Sequence, residues 1–136
     1  MSAVVTDTHA LLWYLSNSSK LSSDALAAFE KAERNGFSIY VPAIVLIELR
    51  YLVEKGRDIF ESDFLLVVGK LKSPQSALTF APLNQGTAED LHQIPRAIVP
   101  DMPDRLIAAT AYNLNLPLIS KDTSIRNLRN ITIIWS

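Results

Sequence analysis

The chain has 136 residues, 49% of them hydrophobic, which is enough for one real core in a domain of ordinary size. It carries 13 basic and 14 acidic residues, a formal net charge of −1, so it lacks the strong global field of a protein held to nucleic acid mainly by electrostatics. There is no cysteine, which rules out disulfides and thiolate metal sites. Any polyanionic ligand must therefore be met by a local basic patch or through metal ions.

The opening "MSAVVTDTHA" has no basic stretch before its apolar residues, so no signal peptide is expected, and no apolar run approaches membrane-spanning length. The absence of cysteine fits a reducing cytoplasm. No low-complexity segment, repeat or Gly/Ser linker divides the chain, and residues 1–136 are expected to form a single domain.

In chain order, "AVVT" (3–6) reads as a short buried strand and "HALLWYL" as a helix following at once. "SSDALAAFEKAERNG" (22–36) is a helix closed by Gly36, and "FSIYV" (37–41) a strand. "AIVLIELRYLVEKG" (43–56) is a helix entered through Pro42 and stopped at Gly56; 59–73 is another, despite Gly69. "ALTFAPL" (77–83) is a strand and "TAEDLHQI" (87–94) a short helix closed by Pro95. "MPDRLIAATAYNLN" (102–115) is a helix, "PLIS" (117–120) a strand, "TSIRNLR" a turn helix and "ITIIWS" (131–136) a terminal strand. Strands alternate with helices and are apolar throughout, which points to an α/β sandwich around a parallel sheet buried on both faces. Ligands of such sheets sit outside the carboxyl ends of the strands.

Acidic residues collect at that edge. Asp7 follows the first strand and Asp122 follows "PLIS". Glu48 lies in the helix after "FSIYV", and Asp104 in the first turn of the helix leading into "PLIS". Each aspartate has an ordinary role as a helix cap: Asp7 before "THALLWYL", Asp122 before "TSIR", and Asp101 as N-cap with Asp104 three residues on. Glu48 is too deep in its helix for that. Its neighbours at helical spacing, Ile44, Val45, Tyr51 and Leu52, are apolar, and a carboxylate on such a face costs several kcal/mol unless compensated.

Convergence of Asp7, Glu48, Asp104 and Asp122 around a hard divalent cation removes that cost. Oxygen ligands alone suit Mg²⁺ or Mn²⁺ rather than zinc, one ion or two. The chemistry expected of such a site is hydrolysis of a phosphodiester through a metal-activated water.

"VVTDTHALLWYL", "VPAIVLIELRYL", "DMPDRLIAATA" and "LPLISKD", in that order, resemble the PIN-domain ribonucleases, and more closely the VapC-type toxins of toxin–antitoxin pairs. The resemblance spans essentially the whole chain. It implies a PIN-like α/β/α sandwich and a Mg²⁺- or Mn²⁺-dependent endoribonuclease, with Asp7, Glu48, Asp104 and Asp122 as the acidic quartet and Asp101 auxiliary. It further implies supporting hydroxyls at Thr8 and Ser120, RNA as substrate, a homodimer and a VapB-like antitoxin partner. Operator DNA would be contacted only through the antitoxin.

Lys121 and Arg126, with Arg129, form a basic cluster beside Asp122; they and Arg50 and Arg105, close in sequence to quartet acids, are candidate phosphate contacts. His9 reads as structural and His92 as solvated. Trp13, Tyr14 and Leu12 read as core or dimer contacts rather than base-stacking residues. Two other readings compete. One is a phosphotransfer or phosphatase site with Asp7 as nucleophile, disfavoured because "DTH" lacks the second aspartate of an Asp-x-Asp pair. The other is a non-catalytic PIN-like interaction module.

Overall fold

The computed structural model describes residues 3–136. Its centre is a five-stranded, wholly parallel sheet in the order β3-β2-β1-β4-β5. The strands are β1 (Val4–Thr6), β2 (Ile39–Pro42), β3 (Leu78–Ala81), β4 (Leu118–Ile119) and β5 (Ile133–Ile134). All three residues of β1 and both of β4 are buried, as a strand covered on both faces requires.

The helices are α1 (Thr8–Leu15), α2 (Ser23–Arg34), α3 (Ala43–Glu54), α4 (Glu61–Lys72), α5 (Gln85–Glu89), α6 (Met102–Leu114) and α7 (Thr123–Arg126). Helix α2 packs across β1, β2 and β5, while α6 packs on β1 and against α3. The result is a three-layer α/β/α sandwich, the architecture expected from the alternation of short apolar strands with helices. One continuous core runs through it, with Phe29, Leu11, Ile39, Leu49, Ile107 and Leu118 fully enclosed. Among the described residues, no helix is long and apolar enough to cross a membrane.

Element ends follow local chemistry. Gly36 and Gly56 adopt positive φ (74° and 67°) just past α2 and α3, where an L side chain would be strained. Gly69 sits inside α4 with nothing near the place of a Cβ, so the helix simply runs through it. The second strand begins at Ile39 rather than Phe37, which stays exposed. Helix α5 starts at Gln85, two residues before the expected Thr87, because the Asn84 side chain accepts from Thr87 N and caps it. The rest of that segment, Asp90–Gln93, tightens into a 3₁₀ turn before Pro95. Only Ile133–Ile134 of the terminal apolar run pairs with β4.

Strand β1 lies between β2 and β4. The chain builds outward on one side through β2 and β3, then crosses over to add β4 and β5 on the other. The gap beyond the carboxyl ends of β1 and β4 is therefore the point where the winding reverses, the usual place for a ligand crevice.

Candidate active site

An open cleft of about 640 Å³ lies at that reversal point, lined by Asp7, Glu48, Asp101, Asp104 and Asp122 together with Thr8, His9, Trp13, Ile107, Lys121 and Thr123. Segments far apart in sequence thus present five carboxylates to one space. Asp7 arrives directly from β1, and its backbone N–H bonds the Ile119 carbonyl at the end of β4 (3.2 Å). Asp122 arrives from β4 through Ser120, whose buried hydroxyl accepts from Asp122 N (3.1 Å). Asp104 stands in the first turn of α6, and Glu48 projects from the second turn of α3.

Three of the aspartates also cap helices. Asp7 Oδ1 accepts from Ala10 N (2.9 Å) at the head of α1, and Asp122 Oδ1 accepts from Ile125 N (2.9 Å) at the head of α7. Asp101 Oδ2 accepts from Asp104 N (3.3 Å) at the head of α6. Capping and cleft lining are not alternatives here: a cap consumes one carboxylate oxygen and leaves the other for the cleft. Glu48 caps nothing; its Oε1 accepts a 2.6 Å hydrogen bond from Thr8 Oγ1. That bond gives the half-buried glutamate a partner its own helix does not supply.

The electrostatics record the crowding. Burial pushes the Asp7 carboxyl up to about 6, with a smaller push from Asp122; hydrogen bonds from Ser120 and Ala10 N, and His9 nearby, act against the rise. Asp104 is pushed up to about 7, first by burial and then by the charges of Asp122, Asp101 and Glu48. Among the described residues, no three Asp, Glu or His side chains are already drawn to the spacing of metal ligands. The acids line the cleft from separate elements.

Of the basic residues singled out in the sequence, Lys121 lines the cleft. Arg126 is exposed, its Nη1 3.5 Å from the Lys121 carbonyl, and Arg129 is exposed as well. Arg50 and Arg105 require correction, because each side chain is engaged elsewhere. Arg50 forms a two-point ion pair with Glu61 (both contacts 2.7 Å) and lies over the Phe64 ring. Arg105 donates to the backbone carbonyls of Ile94 (3.0 Å) and Leu91 (2.9 Å). Neighbours along a helix point about 100° apart, so closeness in sequence to a cleft acid does not carry a side chain into the cleft.

The aromatic residues of α1 divide between core and cleft. Tyr14 stacks on the core residue Phe29 (4.3 Å, 6°) and Leu12 packs against the core, as expected. Trp13 instead forms part of the cleft wall, and His9 is exposed beside it. The available signal was their separation of four residues, which puts both on one face of α1 just beyond Asp7. His92 is exposed, with Nδ1 2.7 Å from the Glu89 carbonyl.

A parallel α/β sandwich with acids gathered at its winding reversal defines a class of domain that presents a carboxylate-lined cleft at the sheet edge. The chain belongs to the PIN domain family, whose model matches residues 4–131. It is 30% identical over 130 residues to ribonuclease VapC22 of Mycobacterium tuberculosis (strain ATCC 25618 / H37Rv), covering 96% of this chain and 95% of that protein. Similar solved folds include VapBC2 from Rickettsia felis bound to a DNA fragment from its promoter (TM-score 0.70, 17% identity, 96% of each chain). DNA-bound VapBC from Salmonella typhimurium has a TM-score of 0.69 at 20% identity, over 98% of this chain and 97% of that one. FitAcB from Neisseria gonorrhoeae has a TM-score of 0.64 at 19% identity, over 96% and 95%. The fold is thus PIN-like, in agreement with the sequence resemblance.

Proposed function

We propose that this chain is a divalent-metal-dependent endoribonuclease, the toxin of a VapBC-like toxin–antitoxin pair. One observation carries the chemical part: Asp7, Glu48, Asp104 and Asp122, from four separate segments, line a single cleft where the sheet reverses. The donor set fits a hard cation. It consists of oxygen ligands with no thiolate, and each capping aspartate Asp7 and Asp122 has an oxygen to spare. Asp7 and Asp104, pushed up by burial and by neighbouring acids, are the groups that gain most from a positive charge.

Asp7, Glu48, Asp104 and Asp122 would hold Mg²⁺ or Mn²⁺, with Asp101 auxiliary. A divalent cation in such a setting supplies a water ionised near neutral pH and charge for the phosphoryl oxygens. The chain's own residues do the positioning. Thr8 fixes the Glu48 carboxylate, Ala10 N fixes Asp7, and Ile125 N fixes Asp122. Lys121 brings a positive charge to the cleft wall, where it can meet a substrate phosphate. RNA is the substrate suggested by the similarity to a ribonuclease over nearly the full length. The homodimer, the antitoxin partner, and operator DNA reached through that antitoxin are suggested by the family resemblance and by VapBC and FitAB complexes of like fold.

The test is cleavage of single-stranded RNA by the purified chain in Mn²⁺. The expected result is cutting that EDTA stops and that Asp104→Asn lacks. Equal cutting by that variant would assign the activity to a contaminant and sink the proposal.

A further inference from the structure

The cleft is not walled by acids alone. His9 and Trp13 border it from α1, their ring centroids 5.8 Å apart and their planes tilted by 43°. Trp135, beyond β5, comes to 6.0 Å from the Trp13 ring, and the Lys121 ammonium lies 5.5 Å from the same ring centroid. His9 is exposed, and Trp13 and Trp135 are half-buried. His9 and Trp13 also border a second groove of about 430 Å³ between α1 and α4, with Leu12, Leu66 and Val67 among its walls. The two rings therefore stand at the junction of the two hollows.

Their placement relative to the acids is rigid. Asp7 is the N-cap of the helix that carries both rings, so carboxylate and indole belong to one body. Trp13 stands six positions beyond Asp7, about 9 Å of rise. A net charge of −1 supplies little long-range attraction for a polyanion, so contacts beyond the local charges of the cleft add usefully to affinity for RNA. Base stacking on an aromatic side chain is such a contact, and it needs a base free of its complement.

We propose that Trp13, flanked by His9 and Lys121, is the residue that stacks on a nucleobase next to the scissile phosphate. This rests on the ribonuclease reading above. The Lys121 ammonium, over the ring in the free chain, moves to the adjoining phosphate, and the indole face it leaves takes the base. The contact discriminates little among the bases, because every base has a face to stack.

The chain has two tryptophans, so Trp135→Phe leaves Trp13 as its one indole fluorophore. In that background with Asp104→Asn to block cutting, and with Mn²⁺ present, a short oligoadenylate should quench the Trp13 emission. An abasic ribose-phosphate oligomer of equal length should not. Trp13→Ala should weaken oligoadenylate binding about tenfold, leave the abasic oligomer unchanged and keep the same salt dependence, and Trp13→Tyr should restore most of the loss. Absence of quenching on a bound oligoadenylate overturns the proposal, as does an equal loss on both oligomers. If Trp13→Ala fails to fold, quenching and the Trp13→Tyr variant decide alone. Should the unmodified chain neither bind nor cut RNA, the ribonuclease reading fails and the stacking role with it. Should it cut RNA while Trp13→Ala binds oligoadenylate as tightly, only the stacking role fails.

Discussion

The Thr8 hydroxyl donates a 2.6 Å hydrogen bond to Oε1 of Glu48, joining the first turn of α1 to the second turn of α3 across 40 positions of chain. Thr8 is itself buried, whereas Glu48 is half-buried at the cleft. It is the contact that aims a glutamate, otherwise set among apolar neighbours, into the cleft.

Thr8→Val keeps the shape of the side chain and removes the donor. Outer partners of this kind orient ligands, and their loss commonly costs 10–100-fold in metal affinity or activity. Mn²⁺ binding should weaken by roughly tenfold, measured by calorimetric titration. Stability should fall by only about 1 kcal/mol, measured by urea unfolding. Unchanged Mn²⁺ affinity would separate Glu48 from the cation.

The raised carboxyls set a pH dependence with a definite sign. Asp7 and Asp104 sit near 6 and 7 in the native cleft against about 3.8 in the unfolded chain. The native state therefore holds their protons more tightly. Stability from this source is fully present below about pH 4 and is lost as the pH rises through 6 and 7. In chelator, Asp104→Asn should be the more thermostable protein at pH 8, by a few degrees, with the difference vanishing near pH 4. A melting temperature below that of the unmodified chain at pH 8 would contradict the crowding of these acids.

Cation binding must displace the same protons. Mn²⁺ affinity should decline as the pH falls through 7 and 6, and binding at pH 6 should release protons. Titrations in buffers of differing ionisation enthalpy read that release directly. A pH-independent affinity between 5.5 and 8 would place the ion away from Asp7 and Asp104.

Arg105 and Lys121 should part company on substitution. Arg105→Met loses two hydrogen bonds to the 91–94 segment and should cost about 2 kcal/mol of stability, with RNA affinity per folded molecule retained. Lys121→Ala should leave stability within about 0.5 kcal/mol. It should reduce the slope of log affinity against log salt by about 1. The opposite pattern would restore Arg105 as a phosphate contact.

Much of this molecule is legible in its residues. Short apolar runs such as "VVT" and "PLI" cannot alternate in and out, so they had to be strands enclosed on both sides, and the sheet had to be parallel. That placed Asp7 and Asp122 at one edge. Glu48 announced itself by lacking any local partner. Other features depend on tertiary geometry that spacing does not encode. Arg105 lies next to Asp104 in sequence, yet its guanidinium is captured by carbonyls eleven and fourteen residues upstream. Trp13 falls among core residues in the string "ALLWYL", and only the fold shows that its face of α1 borders the cleft while Tyr14 turns inward to Phe29.

The double duty of Asp7, Asp101 and Asp122 has a consequence for how such a site can be lost. Most replacements would forfeit the helix start together with the chemistry, and the chain would be cleared by quality control before a lineage could keep it. Asparagine closes a helix as well as aspartate does, whereas alanine there costs about 1 kcal/mol. Silenced descendants that persist as folded proteins should therefore carry asparagine at these three positions more often than alanine or glycine.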